Sequence, residues 1–258
     1  MPLLNPEYLL RVLLVFVRIS GVLLTAPLFG QLAIPVRVRL LLAVLLAYSL
    51  SGLVRTPLPP HVDQALGFMV AVAIEALTGV LLGFAAHVVF WAVEMASDLI
   101  GFQVGLHMAQ VFNPLEAHST NPLGRLLSLT TLMVFVLLEG HHAVVRVLVR
   151  SFDVVPLAGA YLAGSSPLLL HWAWEFLVLA FRLAAPFLVT ILLIDVALGI
   201  FARIVPQADL FSIALPLKLL VGLGVAVFYV QHFFPLMFSL LGDLENTLLR
   251  LLEAIVPR

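Results

Sequence analysis

Seven stretches of this chain, at about 9–30, 37–54, 65–93, 95–112, 125–150, 169–202 and 210–241, stay apolar over lengths that water cannot solvate. A bilayer core of about 30 Å takes roughly 20 helical residues, and a segment inside it must satisfy its backbone N–H and C=O groups internally. The stretches predict an all-α, polytopic membrane protein: one membrane domain over 1–258 with six to seven hydrophobic helices and an amphipathic tail at 240–256. Composition agrees. Apolar residues make up 63% and charged ones 10%, against about 45–50% and 25% in globular proteins, and 13 basic with 14 acidic residues cannot clothe a water-facing surface of this size.

Turn chemistry gathers in RTPLPPHVD (55–63), NPLEAHSTNPLGR (113–125) and DVVPLAGAYLAGSSP (153–167). Pro27, Pro35, Pro186, Pro206, Pro216 and Pro235 fall within or beside apolar stretches and lack the N–H a regular helix uses, so broken, Pro-kinked helices are expected. Arg37, Arg39, Arg55, Arg125, Arg146, Arg150 and Arg203 lie at several different helix ends and set no orientation. A net charge of −1, from twelve Arg, one Lys and fourteen acids, leaves no footprint for nucleic acid. Without cysteine there is no disulfide and no thiolate nucleophile.

Ionisable groups among apolar residues are costly, so function is sought first at Glu75, Glu94, Asp98, Glu139, Arg182, Asp195 and Arg203. Glu75, Gly79 and Gly83 recur every fourth residue and place a carboxylate beside a small-residue groove. Asp98 with Gly101 and Gly105, and Asp195 with Gly199 and Arg203, repeat the pattern. Two readings of these faces stand: tight, polar-stitched helix contacts, or a proton or substrate path. His141 and His142 follow Glu139, but adjacent side chains diverge by about 100° on a helix and suit no metal. No G-x-S-x-G, S-x-x-K or phosphate-cradling loop occurs, so neither catalytic residue, metal nor cofactor is expected.

Segment 101–114, GFQVGLHMAQVFNP, combines flexible glycines with a stop at Asn113-Pro114. Leu106, Met108, Val111 and Phe112 between them suit either an apolar pore closure or an ordinary helix end. In the tail, Leu241, Leu244, Leu248, Leu251 and Ile255 form a seam for one neighbouring helix. Leu240, Leu249 and Leu252 broaden it toward a lipid-facing surface.

These residues resemble the FliR family of the flagellar type III export gate and its virulence-secretion counterparts. The likeness rests on Arg18-Ile-Ser-Gly, Ala26-Pro27-Leu-Phe-Gly30 and Ile34-Pro35-Val-Arg37-Val-Arg39, on Glu75-x3-Gly79-x3-Gly83-Phe84, and on Ile100-Gly-Phe-Gln103-Val-Gly105. Gly140-His-His142 with Ser151-Phe152 and Pro156 resembles the flagellar branch. The most specific block is Gly199-Ile-Phe-Ala-Arg203-Ile-Val-Pro206-Gln207-Ala-Asp209-Leu-Phe211, then Pro216-Leu-Lys218; the family usually has Asn where Asp209 stands.

The resemblance implies a non-enzymatic subunit of a helical export-gate complex in the bacterial inner membrane, at the flagellar basal body. One copy would assemble with FliP-like and FliQ-like subunits, with an FlhB-like switch protein at the entrance, to pass unfolded flagellar proteins. It also implies bent helical hairpins raised out of the usual membrane plane. The loop matching 105–114 would be a plug, carried here by Met108, Val111 and Phe112, and the tail seam would meet the switch protein. A virulence-system subunit and a small-solute permease are the alternatives.

Overall fold

The computed structural model describes residues 6–30, 34–52, 54, 58, 62–106, 122–207 and 209–256. Helices follow one another as α1 Pro6–Thr25, α2 Val36–Ser51, α3 Ala65–Val104, α4 Pro122–Leu137, α5 Gly140–Val154, α6 Ser166–Ile204, α7 Leu210–Gly242 and α8 Leu244–Ala254, with a 3₁₀ turn at Leu162–Ser165. The protein is all-α and integral to the membrane. Among the described residues, Pro6–Thr25, Ala65–Val104, Ser166–Ile204 and the run Ser212–Ala254 are long and apolar enough to cross a bilayer. The bent pair α4 and α5 makes a fifth if taken as one span.

Three boundaries differ from the sequence expectation. The stretches 65–93 and 95–112 merge into α3, because Glu94, Ser97 and Asp98 are polar yet compatible with a helix interior. α3 stops at Gly105, whose φ of +87° is the left-handed cap conformation. Gly105 N–H donates to Phe102 O (3.3 Å) and Leu106 N–H to Gly101 O (2.9 Å), the paired bonds of a Schellman end. The stretch 125–150 instead breaks in two at Glu139, which takes φ +55°. A Cβ on the next residue, Gly140, would run into the Phe135 ring. Among the prolines, Pro27, Pro35 and Pro206 stand between helices, whereas Pro186, Pro216 and Pro235 lie inside uninterrupted ones.

The chain divides into two compact units. The first holds Met1–Val88, Phe135–Ala173 and Leu241–Arg258. In it α2 lies along α1, with Ala43, Ala47 and Ser51 buried every fourth residue. Ser51 Oγ stands 3.1 Å from Tyr8 Oη and donates to Tyr48 O. α5 is strongly amphipathic, burying Gly140, Ala143, Val144, Val147, Leu148, Ser151 and Phe152. α8 packs on α5, burying Leu244, Leu248, Leu251 and Leu252.

The tail seam therefore has a partner within its own unit, which corrects the expectation of a contact to a switch protein. Tyr161 N–H donates to Ile255 O (2.9 Å), and a Cβ on Gly164 would collide with Ala254 O. Arg146 Nη2 donates to Glu245 Oε2 at 2.8 Å on the exposed rim, where ion pairs contribute little. Leu248→Glu, placing a carboxylate at a site 1% exposed, is expected to lift α8 off α5 and open Arg250 to trypsin. Glu245→Ala should leave the digestion pattern unchanged.

The second unit holds Val89–Val134 and Trp174–Leu240. Phe187 meets Tyr229 edge-on with centroids 5.4 Å apart, joining α6 to α7. Thr131 on α4 reaches Met237 Sδ on α7 at 3.8 Å while donating to Leu127 O. Gly222 lets the Val104 end of α3 approach α7: a Cβ there would stand 2.7 Å from a Val104 methyl.

Candidate functional site

α1 and α3 cross in the first unit with almost no side chain between them. A Cβ on Gly21 would stand 2.9 Å from Ala76 O and Val80 N. One on Gly79 would run into Arg18 O and stand 3.1 Å from Gly21 Cα; one on Gly83 would run into Thr25 Oγ1. Glycine is needed here for close approach, since no positive φ is involved.

At one end of this contact the crossing carries a fully buried ion pair. Arg18 Nε donates to Glu75 Oε2 at 2.5 Å and Nη2 to Oε1 at 2.9 Å, the two-pronged geometry that suits guanidinium to carboxylate. Both side chains are 0% exposed. Arg18 Nη1 also donates to Ser151 O (3.0 Å), Ser151 Oγ (3.2 Å) and Val155 O (3.3 Å), and Nη2 to Val155 O (3.3 Å) and Pro156 O (3.5 Å). These carbonyls sit at and beyond the C-terminus of α5, where a cation complements the helix dipole and adds a donor to carbonyls such as Ser151 O, which also accepts from Val155 N–H. The Phe152 ring lies against the guanidinium, its centroid 4.6 Å from Cζ.

Glu75 is satisfied from a second side as well. Ala158 N–H donates to its Oε1 at 2.6 Å from a turn closed by Gly159 N–H to Pro156 O (3.0 Å). Ala158 holds φ +54°, a left-handed conformation costly for a residue with a Cβ. One ion pair thus ties α1, α3, the end of α5 and the following turn together.

His87 continues the α3 row Glu75, Gly79, Gly83 by a further four residues. Its Nδ1 lies 2.9 Å from Thr25 O, and because a carbonyl only accepts, Nδ1 carries the proton. Thr25 Oγ1 donates back to Gly21 O at 2.8 Å. The row runs acid, glycine, glycine, histidine against Arg18, Gly21 and Thr25.

Sequence reasoning named Glu75, Gly79 and Gly83 but missed Arg18 as the partner, and His87. The missed signal was positional. Arg18 falls on the face of α1 that also buries Leu14, Val15, Ile19 and Val22, so its charge had to find an acid on a neighbour.

The other two Gly/acid faces are arranged differently among the described residues. Asp98 and Glu94 are exposed on α3, Gly101 is buried, and Gly105 serves as the helix cap. Asp195 pairs with Lys218 on α7 at 2.5 Å rather than with Arg203, which is exposed; Gly199 has no atom within 4 Å of an added Cβ. Position explains this: Asp195 lies nine residues before the end of α6 and Lys218 eight after the start of α7, level across an antiparallel hairpin. Glu139 and His142 form a rim contact at 3.5 Å, and Arg182 is exposed.

In the turn between α6 and α7, Pro206 and Gln207 are exposed. Asp209 is the residue before α7: Oδ1 accepts from Ser212 N–H at 3.5 Å and its carbonyl from Ser212 Oγ at 2.9 Å. Asn and Asp cap helix N-termini about equally well, which reconciles Asp209 with the family's usual Asn. Phe211 follows as the second residue of α7. Met108, Val111 and Phe112 lie outside the described residues.

The described residues define an all-helical integral membrane protein whose first unit is built on a glycine-lined helix crossing and the fully buried Arg18–Glu75 ion pair. The model of the bacterial export proteins, family 1, matches residues 9–244. The chain is similar to the flagellar biosynthetic protein FliR of Escherichia coli, 30% identical over 240 residues that cover 90% of this chain and 91% of that one. FliR of Bacillus subtilis is 30% identical over 246 residues, covering 93% and 94%, and FliR of Aquifex aeolicus 28% over 220 residues, covering 85% and 84%. The chain belongs to the FliR family of bacterial export proteins.

Proposed function

We propose that the chain is the FliR-type component of the flagellar type III export gate, seated in the inner membrane and forming part of the channel for unfolded flagellar subunits. Helix length carries this reading. The 40 residues of α3 and 39 of α6 extend about 60 Å at 1.5 Å per residue, twice the roughly 30 Å of hydrocarbon a span needs. Large apolar side chains stay exposed along both, from Leu66 and Met69 to Phe102 and from Leu170 to Ile204. Lipid covers about half of such a helix, water covers none of it, and protein neighbours must take the rest.

FliP-like and FliQ-like subunits supply those neighbours, and an FlhB-like protein stands at the entrance. The buried polar groups serve architecture rather than catalysis. Glu75 in particular, with both carboxylate oxygens engaged by Arg18, is poorly placed to relay protons, which weighs against the permease. The segment after the Gly105 cap provides the plug, with Met108, Val111 and Phe112 as its apolar fillers. The flagellar names of the relatives favour a flagellar system over a virulence one. Deleting the gene in its own host is expected to abolish swimming and secretion of hook and filament subunits, with a plasmid copy restoring both. A deletion strain that still secretes those subunits would overturn the proposal.

A further inference from the structure

Arg182 stands exposed in the middle of α6, and among the described residues it has no hydrogen-bond or ion-pair partner. It lines a groove of about 470 Å³ with Trp174, Leu177, Val178, Phe181 and Ala185. Spacings of three and four put all six on one face of the helix. Trp174 is 66% exposed and Phe181 52%. An exposed cation beside aromatic and aliphatic surface on a membrane helix is stabilised when an anion with an apolar body covers both.

We propose that this groove binds an anionic phospholipid, with an acyl chain along Leu177, Phe181 and Ala185 and the phosphate on Arg182. The planar guanidinium donates to phosphate in a two-pronged fashion that an ammonium cannot reproduce. Trp174 beside Glu175 has the chemistry of the headgroup level, where amphipathic rings collect. Arg182 lies eight residues further, about 12 Å along the helix, and its long stem carries the charge back toward that level. Charge complementarity selects an anionic headgroup over a zwitterionic one, since the quaternary amine of phosphatidylcholine would face Arg182 as a like charge.

The test uses the full chain in phosphatidylcholine nanodiscs containing brominated phosphatidylglycerol or, separately, brominated phosphatidylcholine. Trp174 is the reporter, in a Trp91→Phe, Trp172→Phe background. Brominated phosphatidylglycerol is expected to quench Trp174 about threefold more strongly than brominated phosphatidylcholine. Arg182→Gln should erase the difference and Arg182→Lys keep part of it. Native mass spectrometry of the unaltered chain gives an independent reading, with phosphatidylglycerol retained after phosphatidylcholine has been stripped. Equal quenching by both lipids, or retention of neither by the unaltered chain, would overturn the proposal. So would a photocrosslinker at Leu177 that captures a protein while Trp174 stays unquenched.

Discussion

Replacing Arg18 with Met is expected to strip the membrane of most of this protein. The substitution leaves the Glu75 carboxylate buried with Ala158 N–H as its remaining donor, and removes the guanidinium's bonds to the Ser151, Val155 and Pro156 carbonyls. Breaking a fully buried ion pair by removing one partner costs about 3–5 kcal/mol, a large part of the roughly 5–15 kcal/mol that holds a domain folded. Glu75→Leu should be as damaging, because it strands the guanidinium instead. Glu75→Gln preserves shape yet also leaves Arg18 uncompensated, so it too should lower the amount of folded protein. The double variant Arg18→Met with Glu75→Leu should recover much of the loss, since well-packed apolar groups replace such pairs at little cost. Quantitative immunoblots of membrane fractions and thermal unfolding in detergent measure this. Single variants that accumulate like the wild type would remove the pair as the organising contact of the first unit.

Gly79→Leu is expected to be at least as severe, by a different route. Its first added carbon already meets Arg18 O and approaches Gly21 Cα at 3.1 Å. Both obstacles are backbone and cannot swing aside. Overpacking usually costs about 1–3 kcal/mol, and forcing α1 from α3 would also pull Arg18 off Glu75, so the loss should reach the upper end or beyond. Gly83→Leu should behave alike. Gly199→Leu and Gly224→Leu face open space in the chain and are expected to leave its melting temperature unchanged. If Gly79→Leu melts like these controls, the close crossing is wrong.

Membrane class and most helix positions were legible because hydrophobicity over some 20 residues is a strong local signal. The Glu75, Gly79 and Gly83 row was legible for a similar reason: three special residues at a fixed helical step. What lay beyond the sequence was pairing. Nothing local in Arg18 says which acid it meets, and nothing local in Asp195 separates Arg203, two turns along the same helical face, from Lys218 across the hairpin. The boundary failed at Glu94, where the apolar stretch was read as interrupted, while Gly105 ended α3 through its backbone. Prolines divided by place: Pro27, Pro35 and Pro206 stand at breaks, whereas Pro186, Pro216 and Pro235 sit within continuous helices. Long apolar helices accommodate such prolines when neighbouring groups take the freed carbonyls; at Pro186 the freed carbonyl is that of Arg182, four residues earlier. The tail seam was read correctly as a helix contact but given the wrong neighbour, because periodicity names a face and not what covers it.

A lone copy of this chain leaves the excess length of α3 and α6 uncovered, and the composition of the particle extracted from membranes tests that directly. Tagged chain should be purified in mild detergent from cells that are building flagella and weighed intact by native mass spectrometry. The expected particle contains one copy of the 28.1 kDa chain with several copies of each of two smaller membrane proteins. Recovery of the chain from such cells as a monomer or as a self-oligomer, with no fixed companions, would contradict the assignment of its apolar faces to the export gate.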